Sequence, residues 1–317
     1  MTRFSLKLFF LISLILSVAI DSIARDSNIS PLYSRVINPK TPQKISICGQ
    51  TVDLNVIDYA ERYDREITSL IYTHGNTLLT IKRANRFFPQ IAPILKKNGI
   101  PEDLLYLACV ESTMNPRAYS PAKAAGIWQF IPSTAKEYGL EVNDEVDERY
   151  NIDKATAAAC RYFKKALSKF GGDWMAVFEA FNGGMARISS AFENQNADDA
   201  LDLFLAEETQ RYPFRILAMK TIMENPKAFG FLLDADQLYQ PRDVEIVEVS
   251  GPVPSWADWA RKHGVSYREL RDENQWIRST KLTNKLGKTY QVRVPKKASL
   301  KRSTAGNPKV FNQDWIN

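Results

Sequence analysis

Glu111 closes an apolar run, Leu104-Leu-Tyr-Leu-Ala-Cys-Val-Glu111, and a polar loop follows it. A carboxyl group in the last turn of an apolar helix is pushed toward its neutral form twice over. Desolvation disfavours the anion, and so does the negative end of the helix dipole. An acid held protonated near neutral pH can give its proton to a leaving oxygen. The competing reading is an ordinary surface glutamate at a helix end. Other chemistries have less to stand on. The two histidines, His74 and His263, are far apart, and there is no HExxH or CxxC, so neither a metal nor a zinc hydrolase is expected. No GxxxxGK[ST] or GxGxxG occurs, so no nucleotide or other cofactor is expected. A net charge of +6 suits polyanionic surroundings. No arginine stripe interleaved with aromatics supports nucleic-acid binding.

The elements that must hold Glu111 are helical. The 317 residues, 44% hydrophobic and 25% charged, allow one large or two modest domains. Tyr59, Tyr63, Ile67 and Ile71 recur every fourth residue, which predicts an amphipathic helix from Asp58 to about Phe88. Pro101-Glu-Asp103 opens the Glu111 helix, and Asn115-Pro116 stops it. Thr134 with Glu137 predicts a capping box. Further helices are expected over 153–170, 174–181 and 212–223. After Asp236 the pattern changes to strand, helix, helix, strand, with Ser266 as an N-cap.

Arg3 and Lys7 lead into the apolar run Leu8 to Ile20, and Ser22-Ile-Ala24 supplies small residues for cleavage. This predicts a signal peptide over 1–24 and an exported protein of the periplasm or cell envelope. The run is short for a membrane span, and an uncleaved anchor is the alternative. Cys109 and Cys160 read as buried core residues; a disulfide between two of Cys48, Cys109 and Cys160 is the alternative.

Glu111-Ser112, Asn115-Pro116, Ser120-Pro121, Gly126-Ile-Trp-Gln129 and Pro132, followed by Ala180-Phe-Asn-Gly183 and Glu208-Thr-Gln-Arg-Tyr212, stand in one order. In that order and spacing the chain resembles the soluble lytic transglycosylase domain. Pro101–Tyr106 and Val146–Arg149 resemble the membrane-bound murein transglycosylase D subgroup. The resemblance implies a mainly α, lysozyme-like catalytic domain over 86–235, preceded by a lead-in and helical segment over 25–85. It implies cleavage of the β-1,4 bond between N-acetylmuramic acid and N-acetylglucosamine of peptidoglycan, leaving a 1,6-anhydro end. Glu111 would protonate the glycosidic oxygen, and its carboxylate would then take the proton from the sugar O6 hydroxyl. One acid suffices on this substrate-assisted route, outside the two-carboxylate pattern.

Other positions carry over singly. Ser120 matches a serine that bonds the acetamido group or the acid, and Gln129 a glutamine lining the cleft. Asn182 stands in the Ala-Tyr-Asn motif, where Phe181 replaces the tyrosine. Glu208 matches an acid supporting the substrate, and Tyr212 a tyrosine of the cleft wall. Trp128, where relatives carry Met, could stack on a sugar face or pack in the core. Residues 236–296 resemble a divergent LysM module of β-α-α-β order, expected to act as a tethered binder of glycan chains, so that 25–235 would suffice for cleavage of soluble fragments. Residues 297–317 read as a polar, disordered tail. Peptidoglycan glycan strands are the expected partner. A lysozyme-type hydrolase using the same acid and an inactive wall-binding scaffold are the alternatives.

Overall fold

The structure is a computed structural model that describes residues 38–285, 287–301 and 308–317. The expected signal peptide over 1–24 lies outside the described residues, as does most of the start of the lead-in. The fold is mainly α, as expected, with two small antiparallel sheets.

The lead-in holds one of them. Strands β1 (Lys44–Ile47) and β2 (Gln50–Asp53) pair with Ile47 opposite Gln50. Cys48 and Gly49 join them with φ of 51° and 81°. Positive φ at both turn residues gives a two-residue loop the twist that hairpin strands need. Alternation then buries Ile45, Ile47 and Val52.

The helix expected from Asp58 to Phe88 is two helices. Helix α1 (Ile57–Tyr72) ends at Thr73, and α2 (His74–Lys97) runs on through Pro89 and Pro93. A domain boundary at residues 85 and 86 therefore falls inside a helix. Next come α3 (Leu104–Ser112), α4 (Pro132–Glu137), α5 (Ile152–Lys169), α6 (Trp174–Gly183), α7 (Met185–Gln195) and α8 (Glu207–Glu224). The capping box expected at Thr134 does not form. Pro132 starts α4, its cap is Ile131, and Glu137 accepts from Lys165 instead. Helix α7 was not anticipated; Gly184, at φ 92°, turns the chain from α6 into it. Helix α8 packs on α1, α3 and α6, and α2 packs on α5.

The C-terminal module has the expected order: β3 (Val244–Val249), α9 (Trp256–Lys262), α10 (Tyr267–Glu273) and β4 (Tyr290–Pro295). Ser266 and Glu269 form a capping box on α10. The module is not a loose tether, however. Its core residues Trp256, Ile277 and Val292 belong to one buried cluster with Ala125, Val146 and Tyr150 of the helical domain. Val146 and Ile277 form a β-bridge across the join. Thr283 donates through its amide and its hydroxyl to Glu145 at 2.8 and 2.9 Å.

The tail departs from expectation too. Phe311 and Trp315 lie edge-on to Phe88 at 5.3 and 5.8 Å, and Trp315 is buried. Its Nε1 donates to the Met223 carbonyl at 2.6 Å. A tryptophan that loses its whole surface to the core outweighs the polarity around it. All three cysteines are free thiols, with Cys109 and Cys160 buried as read from the sequence.

Candidate active site

Helix α3 is nine residues long, with Leu104, Leu105, Leu107, Ala108 and Cys109 buried. Glu111 is the one acid on it and sits in its last turn. The chain leaves the helix sharply: Thr113 and Met114 have φ of 50° and 54°. Left-handed conformations at non-glycine residues cost energy and persist where surroundings enforce them. Here Met114 is fully buried, and Arg83 of α2 donates to the carbonyl and the hydroxyl oxygens of Thr113, both at 3.2 Å. Among the described residues, four of the seven non-glycine residues with positive φ, Thr113, Met114, Lys123 and Gln129, fall in this one loop. The strain is concentrated beside the acid.

Helix α8 completes the setting of Glu111. Tyr212, buried, donates its phenolic hydroxyl to Glu111 Oε1. Burial raises the Glu111 carboxyl to about 7, against the opposing pull of the Tyr212 hydrogen bond and the Arg215 charge, while Glu208 adds to the rise. Arg215 is itself fixed, by a 2.8 Å bond to the buried Glu66, which also accepts from Arg211 at 2.5 Å. The acid is thus poised so that both its protonated and ionised forms are accessible near neutrality. In burial Tyr212 itself is pushed up, away from ionisation, so it remains a donor.

The other candidates fall into three groups. Glu208 and Asn182 stand close to the acid's supports. Glu208 is exposed in the first turn of α8, where its charge is felt at Glu111. Asn182 Oδ1 accepts from Thr209 at 2.9 Å, tying the end of α6 to the start of α8. Phe181 is half-buried against Phe130, Tyr162 and Phe163, with ring centroids 6.0, 5.1 and 5.2 Å away.

Ser120 and Gln129 spend their recorded side-chain bonds on their own loop. Ser120 Oγ accepts from the Ala124 amide at 3.1 Å, and Gln129 Nε2 donates to the Gly126 carbonyl at 2.7 Å. Neither bonds to Glu111. Trp128 corrects the stacking reading. It has no exposed surface, its Nε1 donates to Thr156 at 2.9 Å, and its ring packs edge-on to Phe163. An indole so enclosed presents no face to a sugar.

The residue that sequence reading missed is Arg149. Its guanidinium is buried, paired twice with Asp147 at 2.9 and 2.7 Å. It also donates to the carbonyls of Lys123 and Phe130 at 2.6 and 3.0 Å, clamping both sides of the Ser120–Gln129 loop. Gly126 fits only because it has no Cβ: one would lie 2.0 Å from the Arg149 carbonyl oxygen. The arginine was visible in Val146-Asp-Glu-Arg149, but nothing local to that segment tells which carbonyls it reaches. Among the described residues no cluster of His, Cys, Asp and Glu could hold a metal ion, and no helix is long and apolar enough to cross a membrane.

The chain is similar to several known proteins. Membrane-bound lytic murein transglycosylase D of Escherichia coli K12 is 34% identical over 241 residues, 75% of this chain and 51% of the relative. The chain therefore spans about half of that relative's length. Peptidoglycan transglycosylase gp16 of Escherichia phage T7 is 37% identical over 95 residues, 29% of this chain and 7% of the relative. Among solved structures, the 70 kDa soluble lytic transglycosylase of Escherichia coli aligns with a TM-score of 0.40 at 16% identity, covering 54% of this chain and 33% of that one. Residues 90–204 match the Transglycosylase SLT domain, and residues 245–298 match the soluble lytic transglycosylase C-terminal LysM-like domain. The segment that holds Glu111 is thus similar to the transglycosylase SLT domain, and the module that follows it is similar to the LysM-like domain of soluble lytic transglycosylases.

Proposed function

We propose that this protein is a peptidoglycan lytic transglycosylase of the cell envelope, exported by its N-terminal segment. It cleaves between N-acetylmuramic acid and N-acetylglucosamine and leaves a 1,6-anhydromuramic end. The observation that carries the reading is the Glu111–Tyr212 hydrogen bond at the end of an apolar helix within an SLT domain. Burial keeps Glu111 protonated for the first step, when it gives its proton to the glycosidic oxygen. Once it has done so, Tyr212 donates to the new carboxylate and favours it. That carboxylate then removes the proton from the muramic O6 hydroxyl as the anhydro ring closes, which restores the acid.

Ser120, Gln129, Asn182 and Phe181 are assigned to the substrate cleft, Glu208 to support of substrate and acid, and Tyr212 to the acid itself. Trp128 braces the loop from behind. No second carboxylate is hydrogen-bonded to Glu111 among the described residues. Glu208, whose charge reaches Glu111, is the acid that a hydrolytic mechanism would have to recruit. Mass spectrometry of sacculus digests tests the proposal. Anhydro ends are expected; reducing ends would make the protein a hydrolase, and an undigested sacculus would make it a scaffold.

A further inference from the structure

The join between the two domains leaves an open groove. One wall is the loop directly after Glu111, through Arg117 and Tyr119, with Tyr150 behind it. The other is α10 and the segment after it, through Tyr267, Arg268, Arg271 and Arg278. Two carboxylates line it, and both are already matched. Asp147 is held by the buried Arg149, and Asp272 pairs with Arg117. Arg268, Arg271 and Arg278 have no carboxylate partner among the described residues. Two of the three are pre-ordered on aromatic faces. The Arg278 guanidinium carbon lies 4.6 Å from the Tyr150 ring centre, and that of Arg271 lies 5.5 Å from the Tyr267 ring centre. Arg271 also donates to the Tyr267 hydroxyl at 2.6 Å.

A guanidinium stacked on a ring loses little freedom when it binds. Arg271 has Nη2 left to offer, because its Nη1 is bonded to Tyr267, and the Arg278 fork is engaged only by a long 3.5 Å bond to the Gln275 carbonyl. The complement of a guanidinium is a planar carboxylate, engaged by two parallel hydrogen bonds. Neutral sugar hydroxyls have no need of three uncompensated arginines. The peptide stems that hang from muramic acid in peptidoglycan do carry carboxylates. The groove begins six residues after the catalytic acid, on the loop that also bears Ser120.

We infer that this groove is a stem-peptide subsite, in which Arg268, Arg271 and Arg278 receive a carboxylate of the stem while the glycan lies at Glu111. The inference rests on the transglycosylase reading above and deepens it, because it makes the docked module a part of substrate recognition.

The test uses the full chain on glycan strands that carry their stems and on strands stripped of them by an amidase. In the double variant Arg268→Ala, Arg278→Ala, both exposed positions whose loss leaves the core intact, the preference in kcat/KM for stem-bearing strands is expected to fall about tenfold or more, through KM. Arg278→Lys, which keeps the charge without the fork, is expected to retain part of it. A preference equal to wild type in the double variant would overturn the subsite. Wild type inactive on both strands would overturn the transglycosylase reading instead. The groove is then judged by titration with N-acetylmuramyl-L-alanyl-D-glutamate and with its diamide, in which both glutamate carboxyls are amidated. Tighter binding of the acid, lost in the double variant, supports the groove; equal binding of the two, or none, overturns it.

Discussion

The backbone N–H of Asp147 donates to the carbonyl oxygen of Trp276 at 2.9 Å, across the join of the two domains. The Asp147 side chain meanwhile holds Arg149, and Arg149 holds the loop between Ser120 and Gln129. Three residues therefore connect the LysM-like module to the loop assigned to substrate, without any tether between them.

Truncation after residue 235 is accordingly expected to impair cleavage of soluble fragments as well as of intact wall. It uncovers Ala125, Val146 and Tyr150 and strips Trp315 from Phe88. Losing a fully buried tryptophan alone costs about 3–5 kcal/mol. Thermal melts and assays on short glycans check this; wild-type turnover in the truncated chain would show that the Arg149 clamp stands by itself.

Glu111→Gln keeps shape and burial but has no proton to give. Turnover is expected to fall by about 10²–10⁴-fold, the usual worth of a general acid, while the melting temperature holds or rises. Retention of activity within a few-fold would remove Glu111 from the catalytic role.

Tyr212→Phe deletes the hydroxyl that favours the Glu111 carboxylate. The acid should then titrate above its present value of about 7. The alkaline limb of the kcat/KM profile is expected to move to higher pH, while kcat falls because the carboxylate of the second step loses its donor. A limb that stays in place, or moves down, would show that the bond does not tune the acid.

Glu179 supplies a stability test. It has no exposed surface, and both carboxyl oxygens lack a hydrogen-bond partner among the described residues. Burial, with a contribution from Asp173, raises it to about 9. The native state then holds a proton that the unfolded chain gives up near 4.5. This stabilisation is full below the lower value and is lost as pH rises toward the higher one, by up to about 1.4 kcal/mol per pH unit. Wild type should melt at progressively lower temperature from pH 5 to 9 (a range set by those two values), and Glu179→Met should flatten that slope. Parallel slopes would place the titration elsewhere.

The position of Glu111 was more legible than the architecture around it. Glu111 stands out because one acid ends an otherwise apolar helix, and the β-α-α-β order of the module follows from Val244–Val249, Ser266 and Pro295. The β1–β2 hairpin was hidden because Cys48-Gly49 does not read as a turn the way Asn-Gly does, and its strands are four residues each. The break at Thr73 has no proline to mark it, whereas Pro89 and Pro93 lie inside a helix that runs on. Trp128 has the composition of a sugar platform, and only the position of Thr156 and Phe163, distant in sequence, decides that it faces inward. Docking of the module rests on pairs such as Val146 and Ile277, more than a hundred residues apart, which no local pattern encodes.

That bridge bears on how such chains could be recombined. A LysM-like cassette moved onto another catalytic domain would bring Ile277 and Trp276 but find no Val146 or Asp147 to receive them, unless the segment from Glu141 to Tyr150 travelled too. Glu141 accepts from Lys288 at 2.9 Å and from Tyr290 at 3.1 Å, so the seam is written into both parents. The heritable unit is therefore wider than the module's own boundaries, and functional chimeras should need both sides of the seam from one source.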